Sequence, residues 1–105
     1  MRFIETPIFT RALLDFCDDD HYRALQMALV QRPILGPIIP RSGSLRKVCW
    51  SLPGRGKSGS LRVIYFWEKA SETFYMLYVY PKNEQENLTP SQLRVLARLV
   101  REEFA

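Results

Sequence analysis

Two stretches late in the chain, Ser60–Glu68 and Thr73–Tyr80, are apolar on both faces when read with a period of two. In the first, Leu61, Val63, Tyr65 and Trp67 alternate with Arg62, Ile64 and Phe66. In the second, Tyr75, Leu77 and Val79 oppose Phe74, Met76, Tyr78 and Tyr80. A strand with one wet face would alternate apolar with polar, so these two belong at the centre of a sheet. Only Lys69-Ala70-Ser71-Glu72 separates them, which makes them a hairpin.

The other elements follow from their end signals. Arg2 to Glu5 reads as a short strand, and Thr6-Pro7 then supplies an N-cap and a proline at the first helical position. Ile8, Leu13, Leu14 and either Phe16 or Cys17 are expected to form the inner face of that helix. Asp18-Asp19-Asp20 ends it and opens a second one, where acids suit the helix dipole. Tyr22, Leu25, Gln26, Leu29 and Val30 recur there at helical spacing, and two antiparallel helices with a short joint are expected. Pro33 closes the second helix, and residues 33–43 are a connection rich in proline and glycine. From Leu45 the period changes to two, giving a strand to Leu52. Thr89-Pro90-Ser91-Gln92 is a capping box for a last helix reaching about Phe104. Leu93, Leu96, Val100 and Phe104 form its inner face, with Arg94, Arg98 and Arg101 opposite. The order β-α-α-β-β-β-α defines an α+β fold: a mostly antiparallel sheet packed by two N-terminal helices and one C-terminal helix, in a single domain spanning residues 1–105.

A chain of 105 residues that is 47% hydrophobic and 25% charged supports one globular core without metal or disulfide staples. No apolar run approaches the length of a membrane span, and Glu5 interrupts any leader, so a cytoplasmic protein is expected. Cys17 and Cys49 are far apart with no CxxC spacing, and both are read as reduced core thiols. The formal net charge is only +4, yet Arg41, Arg46, Lys47, Arg55, Lys57 and Arg62 fall in one segment, Arg41–Trp67, that holds no acid. Such a segment suits a phosphate-rich polymer, whose neutralisation releases counterions, although a solvated surface has the same composition.

Conventional catalytic sets are missing. Gly56-Lys57-Ser58 matches the end of a phosphate-binding P-loop, but the first glycine would fall on Ser51, and a strand follows where that motif needs a helix. His21 sits after three aspartates at a helix start, where capping or exposure accounts for it, and no residue set has metal-ligand spacing. Cleavage would have to rely on lysine, arginine and a tyrosine. RNA permits this because its own 2′-hydroxyl is the nucleophile. Arginine holds the phosphate and stabilises the developing charge, and a lysine crowded by other cations has a lowered pKa and can share proton transfer. A cyclic phosphate and a 5′-hydroxyl result, without metal. Arg62, on a central strand, needs either Glu84 or Glu86 or an incoming phosphate to answer its charge.

The element order, with Leu45-Arg46-Lys47, Gly59-Ser60-Leu61-Arg62-Val63-Ile64-Tyr65 and Tyr80-Pro81-Lys82-Asn83-Glu84, resembles RelE-family toxins of bacterial toxin–antitoxin pairs, nearest to the HigB-type branch. The resemblance implies a ribosome-dependent messenger RNA endonuclease with no cofactor. Its implied partners are mRNA, the ribosome and a cognate antitoxin of the helix-turn-helix, DNA-binding kind. By position Arg62 matches the phosphate-binding arginine, Lys82 the second catalytic cation and Lys57 the basic residue before the arginine strand. Arg46, Lys47 and Arg55 would contact RNA backbone. Prototype toxins carry a tyrosine shortly after the second cation, whereas Asn83–Leu88 has none, which leaves Tyr65, Tyr78 and Tyr80 as alternatives. Trp50 and Trp67 would either stack a base or pack against the helices. The rival readings are a gyrase-poisoning toxin of the ParE branch and a non-catalytic RNA- or ribosome-binding module.

Overall fold

Every expected element forms, in the expected order, in a computed structural model that describes residues 1–52 and 59–104. They are β1 (Arg2–Glu5), α1 (Pro7–Phe16), α2 (Asp19–Gln31), β2 (Arg46–Ser51), β3 (Ser60–Glu68), β4 (Thr73–Pro81) and α3 (Pro90–Phe104). The caps act as the sequence indicates. Thr6 Oγ1 accepts from the Phe9 amide at 3.0 Å, and Asp18 Oδ1 accepts from the His21 amide at 2.8 Å. The Thr89–Gln92 box closes in both directions, at 2.9 and 3.1 Å. Each cap satisfies amides that a helix start leaves unpaired.

The sheet order is β1-β4-β3-β2. β2, β3 and β4 are antiparallel neighbours, whereas β1 joins β4 in parallel, with Arg2 beside Thr73 and Glu5 beside Met76. Thr6 reinforces that seam: its amide donates to the Met76 carbonyl (3.0 Å) and its hydroxyl to that of Leu77 (2.9 Å). The outer side of β2 is partly covered, because Ile39 N–H donates to Leu45 O and Lys47 N–H to Pro37 O. Gly36 permits this close approach, since a Cβ there would lie 2.9 Å from the Lys47 carbonyl carbon and oxygen.

Each face of the sheet has its own core. Leu61, Val63, Tyr65, Phe74, Met76 and Val79 pack with Phe9, Leu13, Leu25 and Leu29 of α1 and α2. Ile64, Leu77, Tyr80 and Leu45 pack with Ala97 of α3. A shift in register between Ile64 and Tyr65 leaves Leu77 as an extra residue in β4, since Tyr65 pairs with Met76 and Ile64 with Tyr78. This bulge corrects the expected faces of β4. Strict alternation holds from Phe74 to Leu77 and then inverts, so Leu77, Tyr78 and Tyr80 share the α3 side while Val79 turns to the other.

Further corrections concern burial. In α1 the inner face is Phe9 and Leu13, while Ile8 is 64% exposed and Leu14 76%. Val30 of α2 is also exposed. Cys49 is an exposed free thiol, not a core residue, and Cys17 is half-buried. Among the described residues no helix is long and apolar enough to cross a membrane.

Candidate functional site

Alternation along β3 puts Arg62 on the α3 face, in register with Cys49 on β2 and Tyr80 on β4. These three residues form a row across the sheet. The next row outward is Ser51, Ser60 and Lys82: the Lys82 amide donates to the Ser60 carbonyl at 2.9 Å, which continues the ladder one step past β4. The inward row is Lys47, Ile64 and Tyr78. Arg62, Lys82 and Lys47 therefore occupy neighbouring rows of one face.

Arg62 is only 7% exposed. Its Nη1 donates to Ser60 Oγ (3.1 Å) and its Nη2 to Glu86 Oε1 (3.3 Å), while Nε has no partner among the described residues. Glu86 reaches in from the connection between β4 and α3 with a side chain 63% exposed, so its carboxylate is a single, long and water-accessible contact. A buried guanidinium satisfied in this incomplete way can exchange a loop carboxylate for another anion. Tyr80 adjoins it with a buried hydroxyl that also has no partner among the described residues. Burial pushes the Tyr80 pKa up to about 12, against the lowering influence of the Arg62 charge. This phenol is protonated at neutral pH and has its O–H available to donate.

The connection that carries Glu86 is anchored beside the site. Lys47 Nζ donates to Asn87 Oδ1 at 2.7 Å, and Gln85 Nε2 bonds the Asn87 carbonyl and Gln92 Oε1. Lys82 is exposed and forms no ion pair among the described residues.

Other sequence candidates lie elsewhere. Arg46 is on the α1/α2 face, opposite Arg62, and its Nη1 donates to the Gly36 carbonyl at 2.9 Å. Tyr65 is on that face too: its hydroxyl donates to Pro33 O and accepts from Gly36 N–H. Trp50 and Trp67 pack against the same core, on the side away from Arg62. Arg55 and Lys57 lie outside the described residues. His21 is held at the start of α2, its Nδ1 2.6 Å from Asp18 Oδ1. Sequence reasoning did not place Cys49 or Tyr80 beside Arg62. The β2–β3 register would have found the first, but the second depends on the bulge.

A family model described as the RelE toxin of the RelE/RelB toxin–antitoxin system matches residues 42–104, a span that takes in β2, β3, β4 and α3.

Proposed function

The chain belongs to the RelE toxin family, and on that premise we propose that it is an endoribonuclease that arrests translation by cutting mRNA on the ribosome. The observation that carries this reading is the buried Arg62 guanidinium, incompletely satisfied and bordered by Lys82 and Tyr80. Arg62 binds the scissile phosphate in place of Glu86. The RNA 2′-hydroxyl loses its proton and attacks phosphorus, the bond to the 5′-oxygen breaks, and that oxygen takes up a proton. The products are a 2′,3′-cyclic phosphate and a 5′-hydroxyl, with no metal in the step. Lys82, and Lys57 from the β2–β3 connection, supply the further positive charge, and Lys47 contacts the backbone alongside. The HigB-type branch is part of this proposal, as is a DNA-binding antitoxin partner. The apolar groove of Ile8, Leu77, Tyr78, Val95 and Leu96 between α1 and α3 is the surface on which that antitoxin is read to dock.

The test is a brief pulse of expression followed by primer extension on cellular RNA. Discrete cuts within translated messages are expected, lost in Arg62→Ala and Lys82→Ala variants that still fold. Intact messages with damaged DNA would give the chain a gyrase-directed role instead. If both variants cut and arrest growth as the parent does, the assigned site is wrong.

A further inference from the structure

A second cationic surface lies outside that site. Arg94, Arg98 and Arg101 recur at i, i+4 and i+7, so they follow one flank of α3. Arg41 faces them from the turn before β2, and all four line a groove of about 590 Å³ whose apolar lining includes Leu88 and Leu93. Among the described residues no carboxylate lines this groove, and none of the four arginines is in an ion pair. The turn that presents Arg41 is built for it. Ser42, itself buried, accepts from Leu45 N–H at 3.0 Å and donates to the Ile39 carbonyl, while Arg41 holds φ 63°, a left-handed conformation uncommon outside glycine.

We propose that this groove binds the sugar–phosphate backbone of single-stranded RNA, as a continuation of the Arg62 site. The inference extends the ribonuclease reading but is tested without cleavage. Continuity favours a long polyanion over an acidic protein segment. Glu86 contacts Arg62, Asn87 contacts Lys47, and Leu88 lines the groove, so three consecutive residues lead from one site to the next. Along α3 the arginines rise by about 6 Å and then about 4.5 Å, a repeated charge that meets a repeated charge. Guanidinium forks match phosphate oxygens, and their flat faces accept bases.

The experiment is fluorescence anisotropy of the full chain with a labelled 2′-O-methyl oligouridine, which has no free nucleophile and is not cut. Binding is compared with that of the Arg94→Gln/Arg98→Gln/Arg101→Gln variant over a range of salt. The expected result is affinity weakened at least about tenfold and a salt slope smaller by about 2, at about 0.7 for each lost phosphate contact. Arg41→Gly, which suits the backbone at that position, should reduce the slope by about 0.7 with no loss of melting temperature. Unchanged affinity and slope in the triple variant, or no binding by the parent, overturns the proposal. So does a triple variant that loses polyglutamate but keeps RNA. A parent that binds as expected yet leaves cellular messages intact removes the ribonuclease reading and leaves the groove standing.

Discussion

Tyr80 stands directly across the β3–β4 ladder from Arg62, and it does so because Leu77 is an extra residue in β4. Without the bulge, Val79 would take that place and the phenol would face α1 and α2. The bulge thus sets a protonated hydroxyl beside the most deeply buried cation of the sheet. Removing only the oxygen, in Tyr80→Phe, leaves no orphaned donor behind, so stability should be unchanged or rise by up to about 1 kcal/mol. Cleavage should fall by about tenfold or more if the hydroxyl donates to the phosphate in the transition state. Thermal melts and primer extension on the same variant separate the two effects.

Glu86 contacts the Arg62 guanidinium that, in the proposed function, takes the substrate phosphate. Its exchange for alanine removes one solvent-exposed partner of the guanidinium, and the cost should be about 1 kcal/mol. Added inorganic phosphate should raise the melting temperature of Glu86→Ala more than that of the parent, because the vacated Nη2 then takes the anion. Equal shifts would mean that phosphate does not reach Arg62.

Alkaline pH should destabilise the chain through its tyrosines. Tyr22, Tyr65 and Tyr80 all have pKa values raised above the ordinary 10.0, chiefly by burial, with the Glu5 hydrogen bond and charge adding to the effect at Tyr22. The neutral phenol is the form the folded chain favours, so above the ordinary value the unfolded chain holds fewer protons. Their contribution is whole below about pH 10 and drains away as pH climbs toward the folded values, about 12 for Tyr80. Urea unfolding at increasing pH should show this decline, and the double variant Tyr22→Phe/Tyr80→Phe should decline less steeply. A parent curve flat through that range would contradict it.

Helix α1 offers a contrast between neighbours. Phe9 is fully buried, and Phe9→Ala should cost about 3–5 kcal/mol. Ile8→Ala, on the exposed side, should cost less than about 0.5 kcal/mol. Denaturant midpoints measure both, and similar losses would reverse the assigned face.

Gly36→Ala should destabilise by about 1–3 kcal/mol, since the added methyl meets the Lys47 backbone and the Tyr65 ring at 2.9–3.0 Å. The same change should loosen the Arg46 and Tyr65 hydrogen bonds to residue 36, which hydrogen exchange at that amide would report.

The elements were legible because their ends are chemically marked. Thr6-Pro7, Asp18 and Thr89–Gln92 each present a side-chain oxygen to bare amides, and that is a local property of sequence. Faces were less legible. Ile8 and Phe9 are adjacent and both apolar, so only the direction in which the sheet lies decides between them. In β4 every residue from Phe74 to Tyr80 is apolar or aromatic, so no polar residue marks where alternation breaks. Arg62 was legible as a cation in an apolar strand, and Glu86 as one of two acids able to answer it. Arg46 and Lys47 are equally basic, and the strand's pleat alone sends them to opposite faces.

The parallel seam between β1 and β4 ties the earliest segment of the chain to one that follows some seventy positions later. A nascent chain emerging from its own ribosome therefore has nowhere to lodge Arg2–Glu5, or the Thr6 that caps α1, until Met76 and Leu77 have been made. Arg62 is synthesised before either of those partners, so the β1 edge is the part of this sheet that must wait for distant residues to be made.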